Sequence, residues 1–228
     1  MVIKKYKISF KGKNLRPILL LGIMEPLYFY AESQGILYTN ATYSGIVLSV
    51  VPVVSIALAA VFLKEYPTSR QAVFSLLPVA GVVISAVSGC SLGIVTPLGA
   101  FFLTVTCLSS AAYKIFNRKA AEEFSVFERT YAVIFICSLI YTISGLHSLN
   151  WSFKEYIAPV FNPYFILPVL VLSIFCSVIC NLLVNYAAGK LSVAKFSAFG
   201  TLTTLFSMFS GVLFLGEPFT AVCLLVQS

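Results

Sequence analysis

Charge is scarce in this chain. Asp, Glu, Lys and Arg together make up 10% of its 228 residues, where a soluble domain carries roughly 25%. A solvated globular domain is therefore excluded. Histidine occurs once, at His147, close to the end of an apolar run, which argues against a metal-ligand role. The six cysteines, Cys90, Cys107, Cys137, Cys176, Cys180 and Cys223, form no C-x-x-C pair. Cys176 and Cys180 lie one helical turn apart in an apolar run, without a histidine or carboxylate nearby. They read as small apolar filler, no metal site is expected, and no oxidising compartment is implied. Collagen, coiled-coil and disulfide-scaffold signatures are missing. So are the G-x-S-x-G, H-E-x-x-H, P-loop and paired-carboxylate hydrolase patterns, so the sequence points away from an enzyme and asks for no cofactor.

Apolar residues are plentiful instead. They account for 59% of the chain, with twenty Phe and twelve Tyr, and the mean hydropathy is +0.97. The solvent for most of this sequence is lipid. A spanning helix needs about 20 mostly apolar residues. The charges and breaks divide the chain into spans at 17–36, 42–63, 71–89, 96–116, 130–147, 164–187 and 196–215. An eleven-residue run, 218–228, is too short to cross. The expected fold is thus an all-α polytopic membrane protein with seven complete spans and a partial eighth. A signal peptide competes for the first segment, but Glu25, Glu32 and the run's full membrane length argue against it.

Loops on the cytoplasmic side of a membrane are enriched in Lys and Arg. Taking alternate segments from the N-terminus, fourteen of the fifteen Lys and Arg fall on one side, and only Lys154 falls on the other. The N-terminus and the 117–129 loop are therefore expected in the cytoplasm. Topology explains the net charge of +7, and nucleic-acid binding is not expected. The basic residues 1–16 read as an arm facing water and lipid headgroups.

An internal repeat emerges at an offset of 152 residues. The form Phe-Leu-x-Glu-x-x-Thr occurs at Phe62–Thr68 and again at Phe214–Thr220. Segments 31–68 and 183–220 share five identities, at Ser55/Ser207, Phe62/Phe214, Leu63/Leu215, Glu65/Glu217 and Thr68/Thr220. Two unrelated apolar helices that both end in a Glu turn would look similar, but the matched lengths and edges favour a repeat. By the charge count, 42–63 runs inward and 196–215 runs outward. Repeats of opposite direction are a feature of many secondary transporters.

The stretch Glu25–Ile36, then Thr39–Thr42 and the span to Glu65, resembles the third and fourth helices of the drug/metabolite transporter superfamily, and in particular a bacterial EamA-type permease. Lys114–Thr130 is similar to that family's junction between helices six and seven, and Asn185–Pro218 to its helices eight and nine. The resemblance covers nearly the whole chain. It implies two inverted five-helix repeats. Here 1–90 corresponds to a remnant of the first (family helices three to five), and 91–228 to the second (helices six to ten, the last incomplete). It also implies that the chain is truncated at both ends, either as a shortened product or through a start assigned at an internal Met. The implied activity is permeation of a small metabolite or amino acid across the bacterial cytoplasmic membrane, by alternating access and in the outward direction. The implied partners are that small-molecule substrate and the lipid bilayer, with proton coupling and a homodimer as open options.

Carboxylates inside a membrane cost on the order of 3 kcal/mol and usually face a bundle interior or a wet path. Glu25 and Glu32 stand seven residues apart, two turns along one face, and Tyr28 shares their stripe. Each Glu is either a proton or cation site or a carboxylate satisfied by neighbouring side chains. Asn181 and Asn185, four apart in a later span, either bind substrate or hydrogen-bond another helix. Glu25, Tyr28, Glu32, Asn181 and Asn185 are the candidate path residues. Two rivals remain. One is a non-transporting fragment that packs against a partner. The other is a seven-helix receptor, although such receptors place the N-terminus outside, and Lys195 sits at a span's end instead of its middle.

Overall fold

A computed structural model describes residues 12–39, 41–73, 75–76, 79, 96–197 and 199. The expected span 218–228, all of 196–215 except residues 196, 197 and 199, thirteen of the nineteen residues of 71–89, and the second copy of the repeat from residue 200 onward lie outside the described residues.

Every regular element among the described residues is helical. Helix α1 (Arg16–Tyr38) runs unbroken through Pro26. Asn14 caps its start by accepting the Arg16 N–H on Oδ1 at 3.1 Å, with Pro17 preorganised for the first turn. Thr39 closes the other end by donating to the Gly35 carbonyl at 2.6 Å. The expected span 42–63 forms two helices, α2 (Ala41–Ser49) and α3 (Val51–Phe62). They meet at Val50, just before Pro52, because proline supplies no N–H to the preceding turn. Lys64 then takes a left-handed conformation, φ 55°, and turns the chain out of the helix.

Helix α4 (Pro97–Ala120) begins at Thr96, whose hydroxyl accepts the Gly99 N–H at 3.1 Å. Helix α5 spans Val126–Ser148. The loop expected over 117–129 therefore shrinks to 121–125. The cause is a capping box. The Ser125 hydroxyl accepts the Glu128 N–H at 3.3 Å, and the Glu128 carboxylate accepts the Ser125 N–H at 2.8 Å, satisfying donors that would otherwise be bare. Asn150 and Trp151 carry positive φ. The stretch between the expected spans 130–147 and 164–187 holds a short helix, α6 (Phe153–Ile157), and a 3-10 turn, Ala158–Phe161. Helix α7 (Pro163–Val171) passes through a π-helical stretch, Leu172–Ile179, into α8 (Cys180–Lys190). The helix thus continues three residues past the expected span end at 187.

Among the described residues four stretches are long and apolar enough to cross a membrane: Tyr43–Phe62, Pro97–Ala120, Val126–Ser148 and Pro163–Lys190. Helix α1 has 23 residues, about 34 Å at 1.5 Å per residue. Its length suffices, but its carboxylates and polar C-terminal turns keep it out of that set.

The chain divides into two compact units, residues 1–26 with 116–190, and 27–115 with 191–228. In the first, Ile18, Leu21 and Val133 are fully or nearly fully buried, and Gly22 lets α1 approach Ile136. In the second, Ala31, Ala59, Leu103, Thr106 and Ala111 form the core. The Tyr38 and Phe102 rings stack there at 6.1 Å. Small residues bring the end of α1 and the start of α4 together. A Cβ on Gly35 would lie 2.6 Å from Leu103, and one on Gly99 would lie 2.9 Å from the Tyr38 carbonyl. That carbonyl also accepts a hydrogen bond from Thr96 at 2.7 Å. Gly99→Val must push backbone away and will cost about 1–3 kcal/mol, read as a lower unfolding temperature in detergent. Gly45→Ala, where a Cβ meets nothing within 4 Å, will be neutral or slightly stabilising.

Candidate functional site

The first unit holds a buried polar knot where α4, α5 and α8 end or begin. The capping box places Glu128, Arg129 and Thr130 in the first turn of α5, and all three are buried. Arg129 is 2% exposed, Asn117 of α4 and Asn185 of α8 are both 0% exposed. Arg129 donates to the Asn117 carbonyl at 3.2 Å, to the Asn117 side-chain oxygen, and to the Asn185 carbonyl at 2.7 Å. The Asn117 amide donates to Asn185 Oδ1 at 2.8 Å, and the Asn185 amide donates to Thr130 at 2.8 Å. Arg118 adds a bond to the Gly189 carbonyl at 2.8 Å.

The physical logic is electrostatic. A cation at the start of α5 is disfavoured by that helix's dipole. The carbonyls it meets lie near the C-terminal ends of α4 and α8, where the dipoles are negative. Two helix ends converge on one guanidinium and offset its burial. Gly189 keeps the approach open, since a Cβ there would lie 3.0 Å from Arg129 Nη2. Beside the knot, Lys13 forms an ion pair with Glu128 at 2.8 Å and lies 4.9 Å above the Phe124 ring. The Asn14 N–H reaches Glu123 at 2.8 Å. This cluster ties helices together and offers no reactive group.

Of the residues expected along the path, Asn185 is thus occupied by helix-linking bonds on both sides of its amide. Asn181, one turn earlier on α8, is partly buried. Glu25 belongs to the first unit. It is partly buried, and its Oε2 is enclosed. Tyr141 itself donates to the Pro26 carbonyl at 3.2 Å. Tyr28 and Glu32 belong to the second unit and are joined directly, Tyr28 Oη to Glu32 Oε1 at 3.1 Å. The sequence reading missed Asn117, Arg129 and Thr130, counting the arginine only as a topology marker. Among the described residues no group of three or more His, Cys, Asp or Glu could hold a metal ion.

The profile of the EamA-like transporter family matches residues 1–87 and 97–226. The chain belongs to the EamA-like transporter family. It is a multi-pass membrane transporter. A relative in Bacillus subtilis (strain 168), described as the uncharacterized transporter YcxC, is 29% identical over 230 residues, which covers 96% of this chain and 74% of that protein. The first EamA segment contains Glu25, Tyr28 and Glu32, and the second contains Asn181, Asn185 and the whole polar knot.

Proposed function

We propose that this EamA transporter exports a small metabolite or amino acid across the bacterial cytoplasmic membrane by alternating access. The N-terminus is cytoplasmic, and two inverted repeats, 1–90 and 91–228, exchange inward-open and outward-open states. The observation that carries the proposal is the pair of partly buried carboxylates, Glu25 and Glu32, on one mostly apolar helix, with Tyr28 holding the second. Membrane carboxylates are expensive, and a path that moves protons or polar solutes is the common reason for them. Support for the two-part organisation comes from the family match in two segments and from the shared Phe-Leu-x-Glu-x-x-Thr form.

In this reading Glu25 and Glu32 take and release protons, Tyr28 orients Glu32, and Asn181 contributes a polar contact to the solute. Asn185 serves the path indirectly by fixing the end of α8. The test is export itself. Cells expressing the chain will release amino acids and small metabolites into the medium faster than cells with empty vector. Equal release across the whole profile would leave the chain as a membrane protein without transport of its own.

A further inference from the structure

Lys114 falls two residues inside the end of the expected span 96–116 and counts among the charges on the cytoplasmic side. The structure sets it inside α4, six residues before Ala120, about 9 Å from the helix end at 1.5 Å per residue. It follows Thr106 and Ser110 at steps of four, on the face of α4 where Thr106 is 0% exposed. The opposite, exposed face carries Phe101 and Leu108 instead. A lysine this close to a helix end normally extends its ammonium toward water. Here Nζ turns to the adjoining segment and donates to Ser197 Oγ at 3.2 Å.

That partner is neutral. Among the described residues no carboxylate pairs with Lys114. Glu65, in the same unit, accepts the Val193 N–H at 3.0 Å, while the ion pair between Lys13 and Glu128 belongs to the other unit. A partly buried ammonium with one hydroxyl as partner keeps two donors for another acceptor. Its desolvation is best offset by an anion. The described residues supply none here, whereas a solute could.

We propose that Lys114 and Ser197 form the docking point for the carboxylate of a monoanionic substrate. The inference rests on the transporter reading and narrows its substrate class to amino or organic acids. A single cation matches a single negative charge, and the Ser197 hydroxyl can donate to the second oxygen of the same carboxylate. A dianionic phosphate would bring one charge more than the site neutralises.

The test uses the purified full chain in detergent and reads its unfolding temperature, which rises when a ligand binds the folded state. The probe is potassium acetate, compared with acetamide plus potassium chloride at the same ionic strength and with potassium phosphate. Acetate is expected to raise the midpoint by about 2 °C or more, a readable shift for a chain of this size. Acetamide and phosphate will give less than half of that. Lys114→Met will abolish the acetate increment, and Ser197→Ala, a milder change that retains the cation, will reduce it. Equal responses to acetate and acetamide, an equal response to phosphate, or an undiminished increment in both variants would each overturn the assignment. Export above empty vector together with any of these results would sink the carboxylate site and leave the transporter reading standing. An acetate increment lost in Lys114→Met without any export would do the reverse.

Discussion

Arg129→Leu will destabilise the chain by about 3 kcal/mol or more, and Arg129→Lys will recover less than half of the loss. The substitution removes a buried cation but leaves its acceptors behind: the Asn117 and Asn185 carbonyls and the Asn117 side-chain oxygen. Each acceptor stranded away from water costs about 1–3 kcal/mol. Replacing a whole buried ionic group with apolar side chains can be harmless, but two of the three acceptors here are backbone carbonyls and cannot be replaced. Lysine keeps the charge and loses the planar fork that reaches two helix ends at once. The expected readout is a midpoint lowered by about 6–12 °C for Leu, at about 2–4 °C per kcal/mol for a chain of this size. A loss below about 1 kcal/mol would mean that the knot contributes little to holding α4, α5 and α8 together.

Glu25→Gln will lower export at least about tenfold while leaving the amount of folded protein in the membrane unchanged. Glutamine has nearly the same shape and cannot exchange a proton, so the substitution separates packing from proton handling. A tenfold loss corresponds to about 1.4 kcal/mol of lost transition-state stabilisation, a modest demand on a carboxylate with one oxygen enclosed. Tyr28→Phe removes the hydroxyl that holds Glu32 at 3.1 Å and will lower export by a smaller factor, about threefold, by loosening that side chain. The measurement is the initial export rate normalised to protein in the membrane. Full activity in Glu25→Gln would remove Glu25 from the path.

Much of the helical layout could be read directly, because charge interrupts apolar runs where helices leave the membrane. The expected 130–147 and 164–187 lie inside the observed Val126–Ser148 and Pro163–Lys190. The errors fall at helix ends. The start of α5 was placed four residues late because Glu128 and Arg129 were weighed as loop charges, although Ser125-x-x-Glu128 is a capping box in plain view. Moving that boundary to 126 puts Arg129 in the first turn of α5, where a cation needs outside help. The break at Val50 is likewise visible in hindsight from Pro52.

The candidate site divides along the same line. Tyr28 and Glu32 are four residues apart on one helix, so their meeting follows from helical period alone. Arg129 meets Asn117 across 12 residues and Asn185 across 56. No local pattern encodes those distances, and only the packing of three helices brings them together. For Asn185 the sequence left two roles open, substrate contact or helix linkage. Its two side-chain bonds, to Asn117 and Thr130, favour the second. For Lys114 the expected span 96–116 ended four residues short of the observed Pro97–Ala120, so the lysine stood at the span's edge and its distance from the helix end was hidden.

The claim on which the inverted repeat and the export direction both depend is orientation, and reporter fusions at residues 122 and 150 test it most directly. Residue 122 follows α4 and residue 150 follows α5, so one membrane-crossing helix separates them. The account predicts a cytoplasmic signal at 122 and a periplasmic signal at 150. A periplasmic signal at 122, or the same side for both, would contradict it.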